Sequence, residues 1–204
     1  MKSKAAIATL LVLIIVCPAS TALGGELPRL DGRQVVMIIA DKDFRDEEFE
    51  VPKTILAGCG AQIDVASTTK QKVQGMMGLI VSPNRLLKEI RAEDYDAVVF
   101  VGGTGAKMYW NDPAARKLAG DADEARKVVG AICIAPVILA NAGVLAGRSA
   151  TVYPSVSHLI TQGGGKYTGR DVEADGRIVT ANGPEASREF AMALVRALAS
   201  KAGR

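Results

Sequence analysis

Three short stretches of this 204-residue chain carry groups suited to chemistry on a small electrophile. In GAICIAPVILANAG (130–143) an apolar run ends at Cys133, and a helix-like Val-Ile-Leu-Ala pattern follows Pro136. A nucleophile on a sharp strand-to-helix turn is strained and exposed, and the small residues Gly130, Ala131 and Ala135 let such a turn close. The start of the next helix adds positive potential and backbone N–H groups, which predicts a thiol shifted toward thiolate. In VGGTGAK (101–107) the glycines allow close backbone approach, so the N–H groups of Gly103 and Ile134 could converge on an oxyanion beside the sulfur. In DKDFRDEEFEVP (41–52) most acids read as a solvated helix start. One that points back toward the thiol would be kept protonated by like-charge repulsion and would donate a hydrogen bond to the sulfur. Each stretch has a plain alternative: an inert buried cysteine, a flexible glycine turn, and a charged face in water. The glycine loop has neither the full dinucleotide-binding spacing nor a phosphate-loop lysine.

The elements that must position these residues alternate in type. RQVVMIIA (33–40) reads as a buried strand, DEEFEVPKTILAG (46–58) as a helix with Asp46 as N-cap and Pro52 near its start, and AQIDVAST (61–68) as a second strand. KVQGMMGLIVS (72–82) reads as short strands around glycine turns, and DYDAVVFVGG (94–103) as a buried strand running into the loop. NDPAARKLAGDADEARKVV (111–129) is helical, opened by Asp112 and Pro113 and weakened near Gly120. VVGAIC and RSATVY read as strands, APVILANAG as a short helix stopped at Gly143, and VEADGRIVTA as a hairpin turning at Asp175-Gly176. The closing helix, PEASREFAMALVRALAS, puts Phe190, Ala191, Leu194, Val195 and Leu198 on one side. Such alternation predicts an α/β fold with a mostly parallel sheet covered on both faces, its ligand site outside the carboxyl ends of the strands. The ends concerned are 41–48, 102–105 and Cys133.

Residues 1–22 read as a secretory signal: Lys2 and Lys4, an apolar run from Ala5 to Val16, Pro18, then Ser20-Thr21-Ala22 as a cleavage site. The domain is then 23–204, in the periplasm or outside the cell; an uncleaved N-terminal membrane anchor is the alternative. Cleavage takes away two lysines and no acid, lowering the formal charge from +3 by two. No basic run stands out and aromatics are 4%, which argues against nucleic acid as a partner. Of the three cysteines, Cys59 and Cys133 remain in the mature chain, and two free thiols are expected rather than a disulfide. A single histidine, His158, and two unlinked cysteines do not make a zinc spacing, so neither metal nor cofactor is expected.

Together the acidic segment ending at Pro52, VVFVGG, GAICIAP with ILANAGVLAGRSAT, and DGRIVTANGP resemble the ThiJ/PfpI family of deglycase- and PfpI-type proteins, in the class I glutamine-amidotransferase-like superfamily. The resemblance covers the mature chain. It implies a flavodoxin-like three-layer sandwich and a homodimer or larger homo-oligomer. It also matches Cys133 to the elbow nucleophile, Glu48 to the glutamate beside it, and Gly103 and Ile134 to the backbone donors. The chain departs from the family where PfpI-type members carry a histidine directly after the cysteine, since Ile134 stands there. Where deglycase-like members carry a histidine after the next strand, this chain has Tyr153, a possible accessory group. His158 falls in a surface helix and reads as structural. The expectation is therefore a cysteine-dependent enzyme acting on small reactive carbonyls in stress protection, and not a Cys-His protease. The alternatives are an oxidant-sensing thiol without turnover and a non-catalytic, chaperone-like or binding member of the fold.

Overall fold

The computed structural model describes residues 27–200. The signal segment, with Cys17, lies outside them. The first half runs β1 (Gln34–Ile38), β2 (Lys42–Phe44), α1 (Asp46–Gly58), β3 (Gln62–Ser67), β4 (Val73–Gly75), β5 (Ile80–Val81), β6 (Arg85–Leu86) and β7 (Ala97–Phe100). The second half runs α2 (Pro113–Glu124), β8 (Val128–Ile132), α3 (Pro136–Asn141), β9 (Ser149–Ala150), α4 (Ser157–Gln162), β10 (Lys166–Tyr167), β11 (Val172–Asp175), β12 (Ile178–Ala181) and α5 (Ser187–Ser200). The main sheet has the order β11-β12-β8-β7-β1-β3-β6. Only β11 runs antiparallel to its neighbour. Helices α1 and α5 pack together on one face, and α2 and α3 with α4 lie on the other. This is the flavodoxin-like α/β sandwich. Among the described residues no helix is long and apolar enough to cross a membrane.

Strands β1, β7 and β8 are buried on both faces, which is why they read as continuous apolar runs with no alternation. The chain leaves β1 toward β3 on one side and later returns to set β7 on the other. Their shared carboxyl end is thus a topological switch point, where such sheets bind ligands. Gly130 matters here through packing rather than through the turn. A Cβ on it would lie 2.9 Å from Leu194 Cδ2 and 3.1 Å from Phe190 Cζ, so its lack of a side chain lets α5 close onto β8. The expected face of α5 is buried, and each large side chain on it contributes about 1.5–3 kcal/mol by burial.

Four local readings change. Asp46 is the first residue of α1 and Arg45 holds the N-cap position. The Asp46 carboxylate instead accepts from the N–H groups of Met77 (2.9 Å) and Leu79 (2.7 Å), pinning the turn between β4 and β5. These two strands join β2 in a separate three-stranded sheet. RSATVY forms only the two-residue β9, paired with β10 outside the main sheet. Side chains there take the backbone donors: the Ser149 N–H donates to Asp175 and the Thr151 N–H to Thr180 Oγ1, leaving no ladder to extend. Helix α2 continues unbroken past Gly120. Asp175 pairs within β11, so the hairpin turns at Gly176, φ 64°, and Arg177. The start of α2 and the state of the two cysteines are as expected. Asp112 caps α2 by accepting from the Ala115 N–H, and Pro113 sits at its first turn. Cys59 and Cys133 are both free.

Candidate functional site

Residues 41–48, 102–105 and Cys133 follow β1, β7 and β8, which are neighbours in the sheet, so one cleft collects all three. Cys133 has φ 62°, a left-handed conformation that costs a non-glycine residue about 1–2 kcal/mol. Hydrogen bonds on both sides hold it there. Its N–H donates to the Ala181 carbonyl at 2.9 Å, and its carbonyl accepts from the Tyr153 N–H at 2.8 Å. That carbonyl shares a peptide plane with the Ile134 N–H, so the second bond also orients the donor facing the sulfur. One residue on, the Trp110 indole N–H donates to the Ile134 carbonyl at 3.1 Å.

Glu48 lies in the first turn of α1 and is fully buried. Phe44 and Phe49 meet edge to face at 5.7 Å and fix the entry to that helix. Neither Glu48 oxygen has a partner at full hydrogen-bond geometry; the polar groups facing the carboxyl are the Cys133 thiol and the Gly102 N–H. Burial pushes Glu48 up to about 8, against smaller opposing pulls from Cys133 and Arg45. Burial likewise pushes the Cys133 thiol up to about 12, followed by the charge of Glu48, while the N–H groups of Gly103 and Ile134 pull it down. The two groups titrate as a coupled pair that resists charge, and at neutral pH both hold their protons. Burial thus opposes the shift toward thiolate expected from the next helix. Helix α3 is six residues long and starts at Pro136, so its field at the sulfur is weak and burial dominates.

The glycine loop is a close crossing of backbones rather than a flexible turn. A Cβ on Gly102 would lie 2.4 Å from Glu48 Oε2 and 2.5 Å from Cys133 Cβ. One on Gly103, φ 93°, would lie 2.4 Å from the Arg45 nitrogen. The Arg45 N–H donates to the Gly102 carbonyl at 3.0 Å, tying the loop to the start of α1.

The cleft has a volume of about 600 Å³. It brings together Cys133, Glu48, Gly103, Ile134 and Tyr153. Tyr153 is 45% exposed and lines the wall. His158 is exposed on α4 and does not line the cleft. Sequence reasoning assigned no role to Arg45 or Lys107, nor to the turn after β12 with Asn182 and Glu185. The available signal was that β12 lies beside β8, so its carboxyl end, in the motif TANGP, is a fourth strand end at the same edge. Among the described residues no group of three or more His, Cys, Asp or Glu is arranged to hold a metal ion.

Residues 33–197 match the model of the DJ-1/PfpI family. The chain belongs to this family. An uncharacterized protein of Methanocaldococcus jannaschii is 39% identical over 168 residues, 81% of this chain and 82% of that one. A glutathione-independent glyoxalase of Caenorhabditis elegans is 26% identical over 81% of this chain and 89% of its own length. Among solved structures, a ThiJ/PfpI domain protein from Brachyspira murdochii superposes with a TM-score of 0.80 at 34% identity, covering 82% of this chain and 96% of that one. The DJ-1/PfpI assignment thus agrees with the fold and with the motifs that carried the resemblance.

Proposed function

We propose that this DJ-1/PfpI protein is a cysteine-dependent, cofactor-free enzyme that converts small oxoaldehydes to hydroxy acids, a glyoxalase- or deglycase-like activity serving stress protection. The observation that carries the reading is the juxtaposition of an unpartnered, fully buried Glu48 carboxyl with a thiol on a strained turn, faced by two backbone donors. The glyoxalase activity named for the Caenorhabditis elegans relative points the same way. Loss of the pair's first proton, at about 8, leaves the Glu48 carboxylate beside the Cys133 thiol, and Glu48 draws off the thiol proton as the sulfur attacks. The sulfur adds to the aldehyde carbon, and the Gly103 and Ile134 N–H groups hold the resulting oxyanion. Glu48 passes its proton to the oxyanion and then, as the carboxylate, moves the proton of that carbon to the adjacent carbonyl carbon through an enediol, while the hydroxyl proton shifts to the adjacent oxygen, giving a thioester. Water hydrolyses the thioester and frees the thiol. The aldehyde carbon is oxidised as its neighbour is reduced, so no outside oxidant or reductant is needed. Tyr153 is positioned to contact substrate at the wall. The absence of histidine from the cleft lining favours this chemistry over amide hydrolysis.

The working form proposed is an exported homodimer without nucleic-acid or membrane partners after signal cleavage; light scattering and fractionation test those assignments. The activity test is methylglyoxal consumption without glutathione. Wild type should yield lactate, with kcat/KM rising as pH passes about 8, where the pair gives up its first proton. Cys133→Ser should abolish turnover and Glu48→Gln should lower it by about 100-fold or more. Wild-type consumption no faster than buffer would end this reading.

A further inference from the structure

We infer that the Cys133 cleft selects oxoaldehydes carrying an anionic group, specifically a carboxylate, at the end remote from the reacting carbonyl; this builds on the oxoaldehyde reading above. A cleft of about 600 Å³ is much larger than a three-carbon oxoaldehyde requires and is in the range that encloses longer ligands. Its charged lining is uneven. Arg45 sits in the wall with its side chain 28% exposed. Glu47 engages its Nε at 2.8 Å and Nη2 at 3.1 Å, which fixes the guanidinium and leaves Nη1 without a partner among the described residues. Lys107 lines the same cleft, is exposed, and forms no ion pair among the described residues.

Among the described lining residues, Glu185 is the one charged carboxylate set against these two cations. Glu47 is already spent on Arg45, and Glu48 is held neutral by burial. Glu185, on the turn after β12, is exposed to water. Met76, Tyr153 and Val156 add apolar surface to the same lining, suited to a carbon stem. A reactive aldehyde at Cys133, a short stem and a carboxylate at Arg45 and Lys107 match this layout. The hydride-neutral rearrangement is unchanged: 4,5-dioxopentanoate plus water gives 2-hydroxypentanedioate.

The experiment compares kcat/KM for 4,5-dioxopentanoate and methylglyoxal in the full chain and in Lys107→Ala, Lys107→Glu and Lys107→Arg. The ratio of the two should favour the acid in wild type, fall roughly fivefold in Lys107→Ala, fall further in Lys107→Glu, and recover in Lys107→Arg. A ratio that Lys107→Glu leaves unmoved would overturn the inference while methylglyoxal turnover still upheld the enzyme. A second measurement does not depend on turnover: protection of Cys133 from iodoacetamide by 4-oxopentanoate against the neutral ketone 2-pentanone. Protection by the acid alone, lost in Lys107→Glu, supports anion recognition even in a protein that turns over neither aldehyde. Equal protection by acid and ketone, or by neither, refutes it.

Discussion

Glu48→Gln puts a permanently neutral amide where burial holds a carboxyl neutral, and the pH dependence of stability reports the difference. The ordinary value for the carboxyl is 4.5, and in the folded chain it rises to about 8. Between these values the unfolded chain has released its proton and the folded chain has kept it. Each increase in pH there favours unfolding, so the stability contributed by the protonated carboxyl is complete below 4.5 and lost by the time pH passes about 8. One proton is worth about 1.4 kcal/mol per pH unit. Allowing for the curvature near 4.5, wild type should lose about 2–3 kcal/mol relative to Glu48→Gln between about pH 5 and about pH 7. Glu48 is fully buried, so solvent screening does not reduce the effect. Cys133 remains neutral across this range and leaves the comparison unchanged. The assay is denaturant unfolding of both proteins at a series of pH values, with the two m-values compared to confirm a common unfolded state. A difference that stays flat with pH, or one in which wild type gains on the glutamine variant, would show that Glu48 is ionised in the folded chain and would refute the burial argument.

Two further substitutions probe the scaffold around the pair. Gly102→Ala places a methyl group 2.4 Å from Glu48 Oε2 and 2.7 Å from the Ile132 carbonyl oxygen; it should cost about 2–3 kcal/mol in chemical denaturation and displace the carboxyl from the sulfur. Asp46→Ala strands the Met77 and Leu79 N–H groups and should cost about 2–3 kcal/mol. Hydrogen exchange should speed up first at those two amides, and uniform exchange across the chain would count against a local role.

The α/β class, the strand order of events and the three candidate strand ends follow from local pattern. Unbroken apolar runs at 33–40 and 94–103, a proline after Asp112 and a one-sided closing helix each depend on a few neighbouring residues. Cys133 was legible because a thiol at a strand–helix joint is unusual in its own segment. Asp46 was misread for the converse reason: its partners, Met77 and Leu79, lie far along the chain, and a local rule could offer only a helix cap. RSATVY has strand-forming residues, yet Asp175 and Thr180 take its donors from a distant hairpin.

Sequence alone thus determined which groups could react and which strand each would follow. Only the tertiary structure decided that β1, β7 and β8 lie side by side, which brings a carboxyl and a thiol 85 positions apart into contact. It also decided their charge. A helix start read from the sequence points to a thiolate, but a protonation state depends on how much water and how many dipoles surround the group. Burial around Glu48 and Cys133 comes from packing of the whole chain, so the neutral pair belongs to the fold rather than to either motif.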